Sequence, residues 1–507
     1  MGTFRAHDGT ELAYHLMGEG EPLICLPGGP MRASAYYGDL GGLSGHRQLV
    51  LLDLRGTGES AVPADPESYR CDRQVDDVEA LRAHLGLEQV DLLAHSAAGN
   101  LALLYAARRP RRVRSLTLVT PGTGAAGIGV TDEDRREAVE ARAAEPWYPA
   151  GRAAFEEVWG GRPPGEVRSA IQPFMYGRWD EAAQAHAAAT EREINWAAAE
   201  AYYAEGAFDP PATVAALAAV DVPVLVLAGE LDGGPRPARA AELADLFPSG
   251  ETVVQTGAAH YPWLDDPGVF TRTVAAFLDP AVHTVHADGV RLAYRVWGEP
   301  SAPPLVLVHG RGGSSADWTH IAGQLARTRR VYALDLRGHG LSDWPGGYGF
   351  DVFRDDLSAF VRALGIGPVD VIGHSMGAAA ALLLAEEQPD LVARLVLEET
   401  APLVPLDPPR GAAQRPAEPL GFDWPVVPSI DAQLNAPDPA WRDRLGAVRT
   451  PTLVMAGGTD SHIDQEQLKE LARLIPGACL ATIDAGHLVH HTAPEEFLGA
   501  LKEIGIQ

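Results

Sequence analysis

At 507 residues the chain is too long for one ordinary core and calls for two or more domains. Its 46% hydrophobic and 21% charged content is that of a soluble globular protein. A net charge of −27 argues against nucleic acid or an anionic membrane surface as partner, and no apolar run approaches the ~18 residues of a membrane span.

The amino terminus, Met1 to Asp8, lacks the apolar run of a secretory signal, and Ala6 spoils a myristoylation signal at Gly2. Cys25, Cys71 and Cys479 are odd in number and scattered, so no disulfide framework is expected and a cytoplasmic location is. Short Val/Leu/Ile runs alternate with amphipathic stretches such as Val75 to Leu85 and Phe353 to Leu364. That alternation predicts an α/β fold, a mostly parallel sheet covered by helices on both faces.

The run Val90 to Ala94 leads into His95-Ser96-Ala97-Ala98 and then a helical segment. A strand, a sharp turn carrying serine and a helix make a nucleophile elbow, which needs tiny residues two before and two after the serine. Ala94 and Ala98 are small but less permissive than glycine. An insertion follows, from about 121 to 219. Thr131 with Asp134 predicts a helix start, and 134–145 and 180–204 read as helices. Aromatics such as Trp147, Trp159, Phe174, Tyr176 and Trp196 concentrate here, mostly to pack a lid on the core. Glu191, Glu193, Glu200 and Glu205 read as a solvated helix face. Beyond the insertion, Asp232 follows the run Val224 to Ala228, and His260 follows Thr252 to Val254.

After the short joint Asp279-Pro280-Ala281 the pattern repeats. His7–Tyr14 recurs as Ala287–Tyr294, Leu51–Ser60 as Ala333–Ser342, and Pro223–Asp232 as Pro451–Asp460. Two domains are expected, 1–279 and 282–507. The second elbow, Gly373-His374-Ser375-Met376-Gly377, keeps both glycines. Its lid, about 401–448, is shorter by about fifty residues and rich in proline, with Pro402, Pro405, Pro408, Pro409, Pro416 and Pro419 in its first part. It is expected to be mostly irregular and to leave an open site near Phe422 and Trp424.

A serine hydroxyl is a weak nucleophile until a histidine takes its proton, and a carboxylate must fix that imidazole's tautomer. Chain position offers Ser96, Asp232 and His260 in the first copy, and Ser375, Asp460 and His487 in the second. Glu398 and Glu399, just past the run Leu395 to Leu397, compete with Asp460. Glu230 and Asp464 read as loop and helix-start carboxylates, and His95 and His374 as structural. His487, His490 and His491 have no carboxylate or cysteine at ligand spacing, so neither a metal nor a cofactor is expected.

Both copies resemble α/β-hydrolase domains over essentially the whole chain. The first is similar to the proline iminopeptidase branch. Leu26-Pro27-Gly28-Gly29-Pro30 resembles that branch's His-Gly-Gly-Pro-Gly, and Asp53-Leu54-Arg55-Gly56-Thr57-Gly58 its Asp-Gln-Arg-Gly-x-Gly. It departs at Pro27, at Met31 and at the elbow alanines. His309-Gly310-Arg311-Gly312-Gly313 in the second copy resembles general esterase-like members. The resemblance implies oxyanion-holding amides at Gly29 and Ala97, and at Arg311 and Met376. It also implies that the acid can come from the strand ending at Glu398 and Glu399, and that lid glutamates can hold a substrate ammonium. The expectation is a tandem serine hydrolase acting on a small ester, lactone, thioester or amide, the first copy with an aminopeptidase-type substrate. An acyltransferase, a cofactor-independent lyase or one non-catalytic copy are the alternatives.

Overall fold

The computed structural model describes residues 1–400, 404–417 and 420–506; Ala401, Pro402 and Pro419 of the second lid lie outside the described residues. The chain divides into two compact units, Met1–Leu278 and Asp279–Gln507. The first carries β1 (Gly2–Arg5), β2 (Glu11–Met17), β3 (Pro22–Leu26), β4 (Gln48–Leu52), β5 (Val90–His95), β6 (Val113–Val119), β7 (Val224–Gly229) and β8 (Gly250–Gln255). They form one sheet in the order β1-β2-β4-β3-β5-β6-β7-β8. The second unit carries β9 (Val282–Ala287), β10 (Val290–Trp297), β11 (Pro304–Val308), β12 (Arg330–Leu334), β13 (Val369–His374), β14 (Val392–Glu398), β15 (Thr452–Ala456) and β16 (Cys479–Thr482). Its sheet runs β9-β10-β12-β11-β13-β14-β15-β16, the same topology. In each, the two pairings involving the second strand, β2 or β10, are antiparallel and the other five are parallel.

β5 and β13 lie mid-sheet and are buried along their whole length, which is why they read as unbroken apolar runs. Helices Val75–His84 and Ala98–Arg108 cover the first sheet, and Phe350–Leu364 and Met376–Glu387 the second. The repeated Asp-Leu-Arg-Gly motif is structural. Asp53 accepts the Ser34 amide at 2.8 Å and the Glu59 amide at 3.0 Å, and Arg55 pairs with buried Asp77. Asp335 and Arg337 repeat this with Ser315, Leu341 and Asp356.

The first lid lies between β6 and β7. Thr131 and Asp134 form the expected capping box, but the helix runs Asp132–Glu140. The stretch expected as one helix over 180–204 is two, Glu181–Glu193 and Trp196–Tyr202. They part because Asn195 caps the second helix, accepting the Ala198 amide, and because the main chain there bonds to the loop after β3: the Ala33 amide to Glu193 O and the Asn195 amide to Met31 O. The second lid is irregular over 404–417, then forms helices Val426–Asn435 and Pro439–Arg444.

Candidate active sites

Both serines occupy the turn at the C-terminal end of the middle strand, with φ of 52° at Ser96 and 53° at Ser375. A non-glycine residue there is strained and persists only because its surroundings hold it. In the second unit the flanking glycines are demanded by packing. A Cβ on Gly377 would lie 2.5 Å from the His309 carbonyl oxygen, and one on Gly373 2.6 Å from Ala378 Cα. In the first unit Ala94 and Ala98 are accommodated, fully buried, at the same places.

In the first unit the side chains meet in one line. Ser96 Oγ lies 2.8 Å from His260 Nε2, and His260 Nδ1 lies 2.8 Å from Asp232 Oδ2. Nδ1–H donates to the carboxylate, which leaves Nε2 free to accept the serine proton. Asp232 also accepts the Gly234 amide at 2.9 Å, and both it and His260 are buried. The main chain of His260 is held as firmly: its carbonyl accepts His95 Nε2–H at 2.8 Å and the Thr120 hydroxyl at 3.0 Å. The Tyr36 hydroxyl donates to His95 Nδ1 at 2.8 Å and accepts the Gly28 amide at 2.9 Å. Burial drives the His95 pKa well below its ordinary value, which keeps the ring neutral as this relay requires.

In the second unit His487 Nδ1 lies 3.1 Å from Glu399 Oε2. Asp460, expected to orient His487, is exposed and forms no hydrogen bond among the described residues. The structure thus places Glu399, and not the expected Asp460, against His487. Glu399 follows β14 with φ of 48° and is fully buried; its carboxylate also takes the Gly457 amide, the Ser461 hydroxyl and the Gln465 side-chain amide. Burial opposes its charge, yet the bonds from His487, Ser461, Gly457 and Gln465 outweigh it and hold its pKa below the usual glutamate range. Glu398 is also buried, but its carboxylate bonds the His490 amide and ring and not His487, while its carbonyl accepts the Ser375 amide at 2.8 Å. His374 Nε2–H donates to the His487 carbonyl at 2.9 Å, and burial lowers its pKa to about 4. Among the described residues no hydrogen bond joins Ser375 Oγ to His487, although both line one cavity.

Ala97 caps the helix after Ser96 and Met376 opens the helix after Ser375, so neither amide has an acceptor within its own helix. Gly29 lines the cavity of Ser96, and Arg311 that of Ser375. The first cavity, 480 Å³, is walled by lid residues including Val139, Phe155, Phe174 and Ile194. The second, 440 Å³, is walled by Ile430, Leu434, His462, Arg311 and Arg410. Among the described residues no group of three or more His, Cys, Asp or Glu gathers as a metal site.

The sequence matches the alpha/beta hydrolase fold family over residues 21–267 and 303–425. The chain belongs to that family. An sn-1-specific diacylglycerol lipase from Danio rerio is 29% identical over 261 residues, 42% of this chain and 82% of the lipase. N-formylmaleamate deformylase from Pseudomonas putida is 29% identical over 247 residues, 40% of this chain and 89% of the deformylase. Among solved structures, the esterase from Exiguobacterium antarcticum is 20% identical with a TM-score of 0.43, covering 55% of this chain and 99% of its own. The lipase and the deformylase are hydrolases and support a hydrolase here. No helix among the described residues is long and apolar enough to cross a membrane.

Several residues of these hydrolase sites carry no sequence signal of their own. Tyr36 reaches His95, Thr120 the His260 carbonyl, and Ser461 and Gln465 the Glu399 carboxylate, all only through the tertiary fold. Glu399 was legible as a competitor, from its place just past a strand. Of the lid glutamates read as a solvated helix face, Glu191, Glu200 and Glu205 are exposed, Glu191 pairing with Arg168; Glu193 is half-buried and pairs with Arg32, and none of the four lines the cavity, where the resemblance would have had them hold an ammonium.

Proposed function

We propose that this chain is a two-site serine hydrolase that cleaves small-molecule esters, lactones, thioesters or amides through an acyl-enzyme. The unbroken line Ser96–His260–Asp232 carries the reading. His260 takes the serine proton as Oγ attacks the carbonyl carbon, and the Gly29 and Ala97 amides receive the oxyanion. His260 then gives its proton to the leaving group as the tetrahedral adduct collapses. Water, deprotonated by the same histidine, releases the acid and restores the serine. Ser375, His487 and Glu399, with the Arg311 and Met376 amides, perform the same steps in the second unit. The absent Ser375–His487 bond is a looseness common in unliganded sites, which tighten on substrate.

The first site favours an apolar acyl or alkyl group over an ammonium, because among the described residues the only carboxylate lining its cavity is Asp232, already bound to His260. A fluorophosphonate probe tests the whole reading. Peptide mapping is expected to find Ser96 and Ser375 modified in the folded chain; modification of neither overturns the acyl-enzyme mechanism.

A further inference from the structure

The cavity over Ser375 has a charge imbalance that its counterpart lacks. Arg311 and Arg410 both line it, and both donate through Nη1 to one oxygen, Asp431 Oδ1, at 2.7 and 2.8 Å. The Asp431 carboxylate is nearly buried and its pKa is held down: burial raises it, but the bonds from Arg410 and Arg311 prevail. Two guanidiniums thus share one counter-charge, and a unit of positive charge is left over. A guanidinium has five N–H donors. Among the described residues each of these spends one on Asp431 and bonds no other protein group, leaving four.

The pair is held in place rather than trailing in solvent. The Arg410 main chain is clasped by Asn435, whose Oδ1 takes the Arg410 amide at 2.7 Å and whose Nδ2 donates to its carbonyl at 2.9 Å. Asn435 and Asp431 stand one turn apart on helix Val426–Asn435. Arg311 is fixed from the other side, one residue beyond the tight Gly310 position that abuts His374. Among the described residues no acidic side chain lines this cavity; His374, His462 and His487 are its other titratable groups. Glu399 stands behind His487 and is spent on four partners. The first cavity differs. Its Arg32, Arg135 and Arg168 each have a private carboxylate in Glu193, Asp132 and Glu191.

We infer that the Ser375 site selects substrates carrying a carboxylate, which Arg311 and Arg410 hold while the serine attacks an ester, lactone or amide elsewhere in the same molecule. This rests on the proposed hydrolase function. A carboxylate is the natural match, since its two oxygens accept paired N–H donors from a planar guanidinium. Its attraction to this pocket also opposes the overall charge of −27, which repels anions from the rest of the surface.

The test uses the full chain with Ser96→Ala, so that only Ser375 turns over substrate. Two matched pairs are compared by kcat/KM: 4-nitrophenyl hydrogen glutarate against its terminal carboxamide, and 4-acetoxybutyrate against 4-acetoxybutyramide. The carboxylate member is expected to win in at least one pair by about tenfold or more. Arg410→Gln should cut that preference severalfold, and Arg410→Lys, which keeps the charge, should retain most of it. Fluorophosphonate labelling of Ser375 in each variant reports whether the site is intact. Labelling with equal turnover of both members in both pairs overturns the carboxylate inference and leaves the hydrolase reading standing. A preference unchanged in Arg410→Gln also overturns it. No labelling and no turnover overturns the hydrolase reading, and this inference with it.

Discussion

In the first unit the carboxylate that meets the histidine stands beyond β7, at Asp232; in the second it stands one strand earlier, beyond β14, at Glu399. The backbone position of Glu399 exists in the first unit too. Thr120 follows β6 there with φ of 40°, against 48° at Glu399, and its hydroxyl reaches the His260 carbonyl. The two strand ends are hydrogen-bonded neighbours, so a carboxylate on either can reach one imidazole nitrogen. What the fold conserves is the location of the histidine; the residue that supplies the negative charge is free to move. Glu399 has one more methylene than Asp232, which suits a reach across from the neighbouring strand. The lids differ as well: the first lines its cavity with Arg135 and Arg168, each paired to a carboxylate of its own, and the second with Arg410, which shares Asp431 with Arg311.

The largest effects separate the two sites. Ser96→Ala and Ser375→Ala should each lower turnover of their own substrates by about 10⁴-fold or more, with the double variant inactive on a panel of esters and amides. If Ser96→Ala changes no rate while Ser375→Ala abolishes all of them, the first unit is not an enzyme on that panel. Next comes a transplant of the acid. Asp232→Ala should cost the first site about 10³- to 10⁴-fold, and adding Thr120→Glu should return about tenfold or more. Turnover no better in the double variant would mean that the second unit's arrangement depends on Ser461 and Gln465 as well as on strand position.

A smaller effect concerns the elbows. Gly377→Ala pushes a methyl against the His309 carbonyl and should destabilise the second unit by about 1–3 kcal/mol. Ala98→Gly in the first unit should cost less, and hydrogen exchange resolved by peptide compares the two units in one chain. The smallest effect is one of pH. His95 and His374 are buried neutral with lowered pKa values, so the folded chain resists protons that the unfolded chain binds. Their contribution to stability is full above an ordinary histidine pKa, about 6.5, and is lost as pH falls towards about 4, the value for His374. Melting temperature should fall through that window, and less steeply in His374→Gln.

Much of the fold was legible because the chain repeats itself and its central strands are unbroken apolar runs. Both serines and both histidines were legible from strand-turn-helix context and chain order. The carboxylate beside His487 was legible only as a competitor, because the internal repeat pairs Asp460 with Asp232 and spacing alone follows the repeat. Strand order decides the matter instead: β14 ends beside the His487 loop, and in the loop carrying Asp460 it is Ser461 and His462 that face Glu399 and His487, while Asp460 itself is exposed. The break at Asn195 was hidden for a related reason, since it answers to a contact with Met31 far away in sequence.

Labelling rates measured serine by serine test the central claim most directly. With a fluorophosphonate and peptide-resolved mass spectrometry, Asp232→Asn should slow Ser96 alone, Glu399→Gln should slow Ser375 alone, and Asp460→Asn should slow neither. Ser375 labelled at the normal rate in Glu399→Gln but slowed in Asp460→Asn would contradict the account.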